Sequence, residues 1–180
     1  MMLNNKELIN NDCKLLKTNL NINKELSMSN IQFVTGSIEL LDFVQPLWEK
    51  LNKHHEANAN YFQNSFKNLK FEVRKNKFLS DTNLKVKIDL IKDIEKDLNI
   101  GYCICTVNKE LVGEIDSLFV EKEYRQYGFG DKLMNRALDW LNSKQVKTKI
   151  IGVAEGNEDV LEFYKRYGFY KRRVILESIN

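Results

Sequence analysis

The sequence has little of several features that define whole classes of protein. It contains one proline and only two histidines, His54 and His55, which are adjacent. It also lacks an apolar run of the roughly 18 residues that a membrane-spanning helix needs. Because the N-terminus has no basic region followed by an apolar block, the sequence predicts neither a membrane span nor a secretory signal. We therefore expect a cytoplasmic protein.

The cysteines are few and badly spaced for cross-linking. Cys103 and Cys105 lie two residues apart in an apolar strand pattern, and Cys13 lies in a different environment. A zinc site would need further Cys or His residues at ligand spacing, which the adjacent histidines do not provide. We predict reduced thiols and no metal site.

The charge balance is nearly neutral. The 180 residues include 28 basic and 25 acidic side chains, a net charge of +3, and 43% are hydrophobic, which is typical of a soluble globular protein. A nucleic-acid-binding module that uses Lys171–Arg173 is an alternative, but three adjacent basic residues with so small a net charge do not support it. The sequence therefore predicts no nucleic-acid partner.

The composition changes near the start of the chain. Residues 1–27 are rich in Asn and Lys, with scattered apolar positions, whereas a strand pattern begins at Ile31. We predict an N-terminal extension over residues 1–27, which can remain loosely ordered or dock as a short helix. One domain is predicted over residues 28–180.

Within that domain, apolar periodicity predicts a first strand, two helices, an antiparallel meander and then alternating helices and strands. Ser37 is expected to cap the first helix, and Pro46 to kink or restart it. The predicted elements are a strand at Ile31–Thr35, a helix with buried positions from Leu40 to Leu51, a short helix around Tyr61–Leu69, strands at Leu84–Leu90, Gly101–Val107 and Leu111–Val120, a helix from Gly130, a strand at Lys149–Ala154, a helix at Asn157–Tyr167, and a final β-like segment at Phe169–Ile179.

The last strand of the meander contains an irregularity. Ile115 is apolar on one phase of the two-residue period, whereas Leu118 and Val120 are apolar on the other. A slip of one residue is typical of a β-bulge, which reorients backbone groups beside active sites. We predict a bulge near Asp116–Ser117.

The segment from Arg125 to Gly130 follows that strand and leads into the next helix. Gly128 and Gly130 lack a Cβ atom, so the main chain can take positive φ and approach a ligand closely. The unpaired NH groups and the dipole of a helix start favour an anion. We predict a pyrophosphate-binding turn. A dinucleotide fingerprint would need glycine in place of Leu133, and a P-loop would need Gly-Lys-Ser/Thr.

Two segments then carry a resemblance. Glu114–Asp131 contains an apolar strand followed by Arg-x-x-Gly-x-Gly, and Asn157–Phe169 has the sequence NEDVLEFYKRYGF. Together they resemble the acetyl-CoA-binding half of the GNAT superfamily of N-acetyltransferases. The resemblance implies an α/β (α+β) fold, in which helices flank a mixed, mostly antiparallel sheet, and direct transfer of acetyl from acetyl-CoA to a primary amine.

The resemblance also implies site residues. The backbone of one strand would pair with the pantetheine arm, the glycine turn would hold the pyrophosphate, Asn157 would bond near the distal arm, and Tyr164 would lie by the sulfur. The implied cofactor-binding residues are Leu118, Phe119, Val120, Arg125, Gln126, Tyr127, Gly128, Phe129, Gly130, Asp131, Asn157 and Tyr164.

Acetyl transfer to an amine requires a neutral amine and a proton for the leaving thiolate. The resemblance makes Tyr164 the candidate general acid, because a phenol can donate that proton. Glu114 is a candidate base, acting directly or through water, and Asp116 and Glu155 compete with it. The two histidines either line the acceptor pocket or lie exposed at a helix end, and their polar surroundings favour exposure.

Some residues depart from the commonest form of the motif. Gln126-Tyr127 stands where Gly-Lys is frequent, and Asp131 stands where a basic residue is usual. We expect Lys132 and Arg125 to compensate the charge of Asp131. These departures motivate an alternative, an acyl-CoA-binding domain of the same fold with little turnover. The acceptor, a small-molecule or peptide amine, has no recognisable pattern, and a homodimer is left open.

Overall fold

The computed structural model describes residues 30–178. A five-stranded sheet runs through the molecule in the order β1-β2-β3-β4-β5. Strands β1 to β4 form an antiparallel meander, and β4 pairs with β5 in parallel. The strands are β1 Ile31–Gly36, β2 Lys85–Asp93, β3 Leu98–Val107, β4 Val112–Val120 and β5 Thr148–Ile151.

Helices cover both faces of the sheet. Between β1 and β2 the chain forms α1 (Leu41–Asn58), α2 (Gln63–Lys67) and α3 (Phe71–Ser80), and α4 (Phe129–Ser143) connects β4 to β5. The short helix α5 (Leu161–Lys165) follows β5. This α/β architecture, a mostly antiparallel sheet between helices, confirms the predicted fold class.

The core has one layer on each face. The layer on the α4 side joins Leu133, Met134 and Ala137 to β3 residues such as Ile100. The layer on the other side joins Leu41 and other α1 residues to a second set of side chains, which includes Phe71 and Phe78 of α3, Ile88 and Leu90 of β2, and Tyr102 and Ile104 of β3. Since β3 contributes to both layers, it reads as a continuous apolar run rather than an alternating one.

The start of α1 differs from the prediction. A 3₁₀ turn at Ile38–Leu40 precedes the helix, and the side chain of Ser37 makes no capping hydrogen bond. Its hydroxyl donates instead to the carbonyl of Val86 on β2, at 2.9 Å. Pro46 lies inside α1, in the second turn, and the helix neither ends nor restarts there.

Helix α3 was not predicted. Its two aromatic residues, Phe71 and Phe78, are its only buried residues, whereas Val73 is 70% exposed and Leu79 is 48% exposed. Apolar residues on the wrong face blur the three-to-four spacing on which helix prediction depends. The helix nevertheless supplies a residue of the candidate site.

The end of the chain also differs from the prediction. The β-like segment Phe169–Ile179 is wrong over the residues described, because 169–178 form no strand. Val174, Ile175 and Leu176 are 67%, 79% and 91% exposed. Strand propensity reflects fit to neighbouring strands, and within residues 30–178 this segment has no strand beside it.

Two further predictions have different outcomes. The strand expected at Lys149–Ala154 ends at Ile151. Residues 1–27 lie outside the described part of the chain, so the proposed domain boundary stays a prediction.

Over residues 30–178, none of the helices has both the length and the apolar character needed to cross a bilayer.

Candidate active site

Strands β4 and β5 separate partway along their length. Their last paired residues are Ile115 and Ile151, where β5 ends, whereas β4 continues to Val120. A cavity of about 170 Å³ opens just beyond this point, and both strands line it. From β4 it is lined by Ile115–Leu118, and from β5 and the loop after it by Ile151, Gly152 and Ala154.

A β-bulge shapes the β4 wall of this cavity. Ser117 pairs with Ile104 and Ile115 pairs with Cys105, so Asp116 has no partner on β3. The bulge predicted at Asp116–Ser117 is therefore confirmed. It turns Asp116 and Ser117 into the cavity lining, where the hydroxyl of Ser117 lies 2.6 Å from that of Tyr102.

Helix α5 brings Tyr164 to the same cavity. Burial raises the pKa of Tyr164 to about 12, with a smaller contribution from nearby Cys103. The phenol is therefore neutral throughout the physiological pH range and retains a proton to donate. Asn157 precedes the 3₁₀ turn Glu158–Val160 and also lines the cavity.

The turn between β4 and α4 presents a helix N-terminus beside the end of β4. A 3₁₀ turn at Lys122–Tyr127 leads to Gly128, whose φ of +72° starts α4 at Phe129. Gly130, by contrast, is helical, and a Cβ atom there would lie 3.5 Å from the ring of Phe163. Gly128 alone takes the positive φ that was expected of both glycines.

Two side chains of this turn have unexpected partners. Nε of Arg125 donates to the carbonyl of Val120 at 3.0 Å, and the guanidinium lies 5.8 Å from the ring of Phe119. Asp131 accepts a hydrogen bond from the Tyr167 hydroxyl and pairs with Arg166 at 2.9 Å. Arg166, which the sequence did not single out, thus pairs with Asp131, and the expected compensation by Arg125 and Lys132 stays a prediction.

The remaining predicted residues of the turn differ in exposure. The ring of Tyr127 stacks on Phe129 with centroids 6.1 Å apart, Phe129 is buried, and Gln126 is exposed. Of the three β4 residues predicted to pair with a cofactor, Leu118 lines the cavity while Phe119 and Val120 bury their side chains in the core. Their predicted role concerns the backbone, which this burial leaves unaffected.

The candidate bases occupy different environments. Burial raises the pKa of Glu114, and the charge of Asp116 adds to the rise; Glu114 is not among the cavity-lining residues. Asp116 lines the cavity, and burial raises its pKa although Arg74 opposes the shift. Glu155 accepts backbone hydrogen bonds, first from Asn60 at 2.9 Å, which lower its pKa. Glu155 therefore holds the loop after α1 rather than facing the cavity.

Arg74 of α3 is the site residue that the sequence did not reveal. It donates to the carboxylate of Asp116 and, at 3.3 Å, to the carbonyl of the same residue. Its guanidinium lies over the rings of Trp48 and Phe78, 5.9 and 5.5 Å from their centroids. The arginine thus fixes the bulge to the helices on that face of the sheet.

His55 was expected to be exposed, and that expectation is wrong. Both histidines are half-buried, and His55 lines the cavity, with its ring 5.5 Å from that of Phe66. Burial lowers the pKa of His55, and the neighbouring His54 lowers it further. The sequence around His55 is polar and therefore predicts exposure. In the structure, however, α2 packs against the end of α1, and Phe66 of α2 covers the His55 ring.

This geometry can be set beside known proteins. The family model of the acetyltransferase (GNAT) family matches residues 51–169 of the chain. The chain belongs to the GNAT family.

Curated GNAT relatives match about half of the chain or less. An uncharacterized N-acetyltransferase of Methanocaldococcus jannaschii is 30% identical over 82 residues, which are 42% of this chain and 36% of the relative. N-alpha-acetyltransferase 30 of Schizosaccharomyces pombe is 33% identical over 85 residues, 44% of this chain and 57% of the relative. The chain thus spans about a third of the first relative's length and just over half of the second's.

Solved structures resemble the fold over most of the chain. The Bacillus halodurans protein BH1408, as a mutant, aligns with a TM-score of 0.63 at 14% identity, over 83% of this chain and 99% of the other. The aminoglycoside acetyltransferase AAC(6')-Iy, in complex with a CoA bisubstrate analogue, aligns with a TM-score of 0.57 at 14% identity, over 83% and 98%. At these identities the likeness establishes the GNAT fold.

Within residues 30–178, His, Cys, Asp and Glu side chains form no group of three that could hold a metal ion. Cys103 and Cys105 are free and buried, with their sulfurs 3.6 Å apart. Cys13 lies outside the described residues.

Proposed function

We propose that this GNAT chain transfers an acetyl group from acetyl-CoA directly to a primary amine. One observation carries the proposal: β4 and β5 separate after Ile115, and the cavity that opens there is lined by the neutral phenol of Tyr164. This arrangement combines an open strand edge, which can bind an extended ligand, with a proton donor beside it.

The residues present fit the cofactor. Beyond Ile115, no strand among residues 30–178 pairs with β4 on its β5 side, so the backbone of Leu118–Val120 would hold the pantetheine arm there. The turn Arg125–Asp131 would hold the pyrophosphate at the N-terminus of α4, a 15-residue helix whose dipole favours anions. Asn157 would bond near the distal arm.

Asp131 does not prevent this turn from binding an anion. Its charge is paired with Arg166, and the Tyr167 hydroxyl donates to it as well, so the carboxylate adds little uncompensated negative charge. Lys132, at the start of α4, keeps its ammonium 5.5 Å from the ring of Phe129 and adds positive charge near the turn. The departures from the commonest motif are thus compatible with CoA binding.

Bound acetyl-CoA supplies an activated thioester. Tyr164 acts as the general acid: with a pKa of about 12 it is fully protonated at neutral pH and can donate its proton to a leaving thiolate. Glu114, whose pKa is raised, acts as the base. Because its side chain lies outside the cavity lining, it acts through water. It would accept the proton that the amine loses.

We also propose that the chain works in the cytoplasm. A cytoplasmic location is compatible with the free thiols of Cys103 and Cys105, which a reducing compartment keeps reduced.

The relatives do not identify the acceptor. Their names point to α-amino groups in one case and to aminoglycosides in others.

The test is an assay of CoA thiol release with acetyl-CoA and a panel of primary amines. We expect release that depends on the amine, and a product heavier than the amine by one acetyl group. Binding of acetyl-CoA without release, for every amine tested, would support a CoA-binding domain instead. Failure to bind acetyl-CoA at all would contradict the proposal.

A further inference from the structure

The β2–β3 hairpin lies at the end of the sheet where β4 finishes. Strand β2 ends at Asp93 and β3 begins at Leu98, and these two residues pair with each other. Near the same end of β3, Gly101 pairs with Val120, after which the chain enters the 3₁₀ turn that leads to Gly128. The hairpin is therefore at the same end of the sheet as the turn proposed to hold the pyrophosphate.

Side chains connect the hairpin to this turn. The hydroxyl of Tyr124, in the 3₁₀ turn, donates to the carboxylate of Asp93 at 2.6 Å, and the ammonium of Lys96 donates to that hydroxyl at 2.7 Å. The main-chain N–H of Lys96 donates to the other carboxylate oxygen of Asp93 at 3.2 Å. These bonds link the turn to the sheet through side chains.

Both ends of this link are buried. Asp93 and Tyr124 are 5% and 8% exposed, and Asp93 lies within the sheet, opposite Ile31 of β1. The ring of Tyr124 packs in the core on the α4 side, with its centroid 6.4 Å from that of Phe129, the first residue of α4. Tyr124 thus joins the sheet to the start of α4.

The protonation states of the two groups suit this bond. The hydrogen bond from Tyr124 lowers the pKa of Asp93, so the carboxylate is charged at neutral pH. Burial raises the pKa of Tyr124, so its hydroxyl keeps the proton that it donates. A hydrogen bond to a charged acceptor is stronger than one between neutral groups, and a buried carboxylate is costly to leave without it. The bond therefore restricts where the turn can lie.

We infer that Tyr124 is a positioning residue for the cofactor: through Asp93 it holds the turn Arg125–Asp131 where the main-chain N–H groups at the start of α4 meet the pyrophosphate. The inference rests on the proposed acetyl-CoA site and adds a residue that fixes the geometry of that site. A turn that is already held in place loses less conformational freedom on binding, so the ligand binds more tightly. Tyr124 acts through the turn rather than by contact with the cofactor.

Tyr124→Phe tests this role, because it removes the hydroxyl and keeps the ring. Asp93 retains Lys96 as a donor, so the variant should fold. We expect the dissociation constant of acetyl-CoA, measured by calorimetry, to rise about tenfold, with kcat at saturating acetyl-CoA unchanged. S-acetylpantetheine carries the same thioester without the pyrophosphate, and its kcat/KM should stay the same. An unchanged dissociation constant, or equal losses with the two thioesters, would overturn the inference.

Thr35→Val is the matched control. The Thr35 hydroxyl also donates to a buried carboxylate of β2, that of Asp89, which keeps Lys87 and Arg136 as partners. Thr35 lies on β1, at the opposite edge of the sheet from β5. We expect its loss to leave the affinity for acetyl-CoA unchanged. A rise in the dissociation constant equal to that in Tyr124→Phe would point to a general effect of a lost hydrogen bond and overturn the inference.

A double-mutant cycle tests the route through Asp93. If Tyr124 acts through this carboxylate, the double variant with Tyr124→Phe and Asp93→Ala should bind acetyl-CoA no more weakly than the weaker-binding single variant. Losses of affinity that add in the double variant would overturn this route.

Failure of the inference and failure of the proposed function give different results. Calorimetry needs no acceptor, so wild-type protein that binds acetyl-CoA but releases no CoA with any amine would contradict the proposed transfer, while the dissociation constants still decide the role of Tyr124. Wild-type protein that does not bind acetyl-CoA would count against both.

Discussion

The proposed site has two halves, one for the cofactor and one for the acceptor, and they differ in the kind of chemical group that forms them. The cofactor half consists of main-chain groups, namely the open edge of β4 and the helix start after Gly128. The acceptor half consists of side chains, such as His55 and Arg74, that three helices contribute. Main-chain groups are the same in every sequence, so a family can keep the first half while the second varies with the acceptor. Substitutions in the two halves should therefore have different effects.

The largest expected effect is in the acceptor half. Arg74→Leu leaves Asp116 without its cation, where the arginine and aspartate side chains are only 25% and 16% exposed. We expect the free energy of unfolding to fall by about 3 kcal/mol near neutral pH. Urea denaturation measures this change.

The loss in Arg74→Leu should depend on pH. The pKa of Asp116 is already raised by burial and should rise further without Arg74. A carboxyl group whose folded pKa exceeds its unfolded value stabilises the fold below the unfolded pKa, and this stabilisation is lost as the pH rises through the folded pKa. The deficit relative to wild type should thus shrink towards about pH 4. Lys75→Leu, which removes an ion pair with Asp42, a carboxylate that is 71% exposed, is the control and should change little. Equal losses in both variants would contradict the account.

Tyr164→Phe tests the junction of the two halves. We expect kcat to fall about a hundredfold, equivalent to about 2.7 kcal/mol, because the phenol no longer supplies a proton to the thiolate. Acetyl-CoA affinity, measured by calorimetry, should persist because the ring remains. Tyr170→Phe, at a residue 74% exposed, is the matched control and should leave kcat unchanged. Unchanged turnover in Tyr164→Phe would exclude the acid role.

Gly156→Ala tests the contact between the loop after β5 and the end of α1. Gly156 has a φ of +80°, and a Cβ atom would lie 2.2 Å from the carbonyl oxygen of Asn58 at the end of α1. We expect the free energy of unfolding to fall by about 2 kcal/mol, from backbone strain together with the clash. Gly152→Ala is the control, because that glycine has no positive φ and nothing within 4 Å of such a Cβ atom. Equal losses at the two positions would show that the contact is unimportant.

The smallest effect concerns the base. Glu114→Gln should lower kcat/KM about tenfold, because the amine must then lose its proton to solvent. The raised pKa of Glu114 predicts that activity rises as the pH passes through a value above the ordinary glutamate range. This limb of the pH–rate profile should disappear in the variant. Glu110→Gln, in the exposed β3–β4 turn, is the control, and an unchanged limb in Glu114→Gln would exclude Glu114.

Sequence patterns reached much of the fold and of the cofactor half because the determinants there are local. The β-hairpins follow from period-two segments, and the bulge follows from the phase slip between Ile115 and Leu118. The start of α4 follows from Gly128, whose positive φ favours glycine. Each of these signals lies within a few residues of the feature that it predicts.

The acceptor half was harder to predict because its contacts are long-range. Arg74 and Asp116 are 42 residues apart, and no periodicity links a cation on α3 to a bulge on β4. His55 is covered by Phe66, so its burial depends on how α2 packs against α1. The C-terminal segment shows the same limit, since Val174–Leu176 have strand propensity but no strand beside them among the described residues.

The central claim is that acetyl-CoA pairs with the edge of β4 where β5 leaves it. Amide hydrogen exchange with and without saturating acetyl-CoA tests this most directly. The account predicts slower exchange in Ser117–Val120 and in the first turn of α4, with no change in β1, which lies at the far edge of the sheet. Binding of acetyl-CoA that leaves Ser117–Val120 unprotected would contradict it.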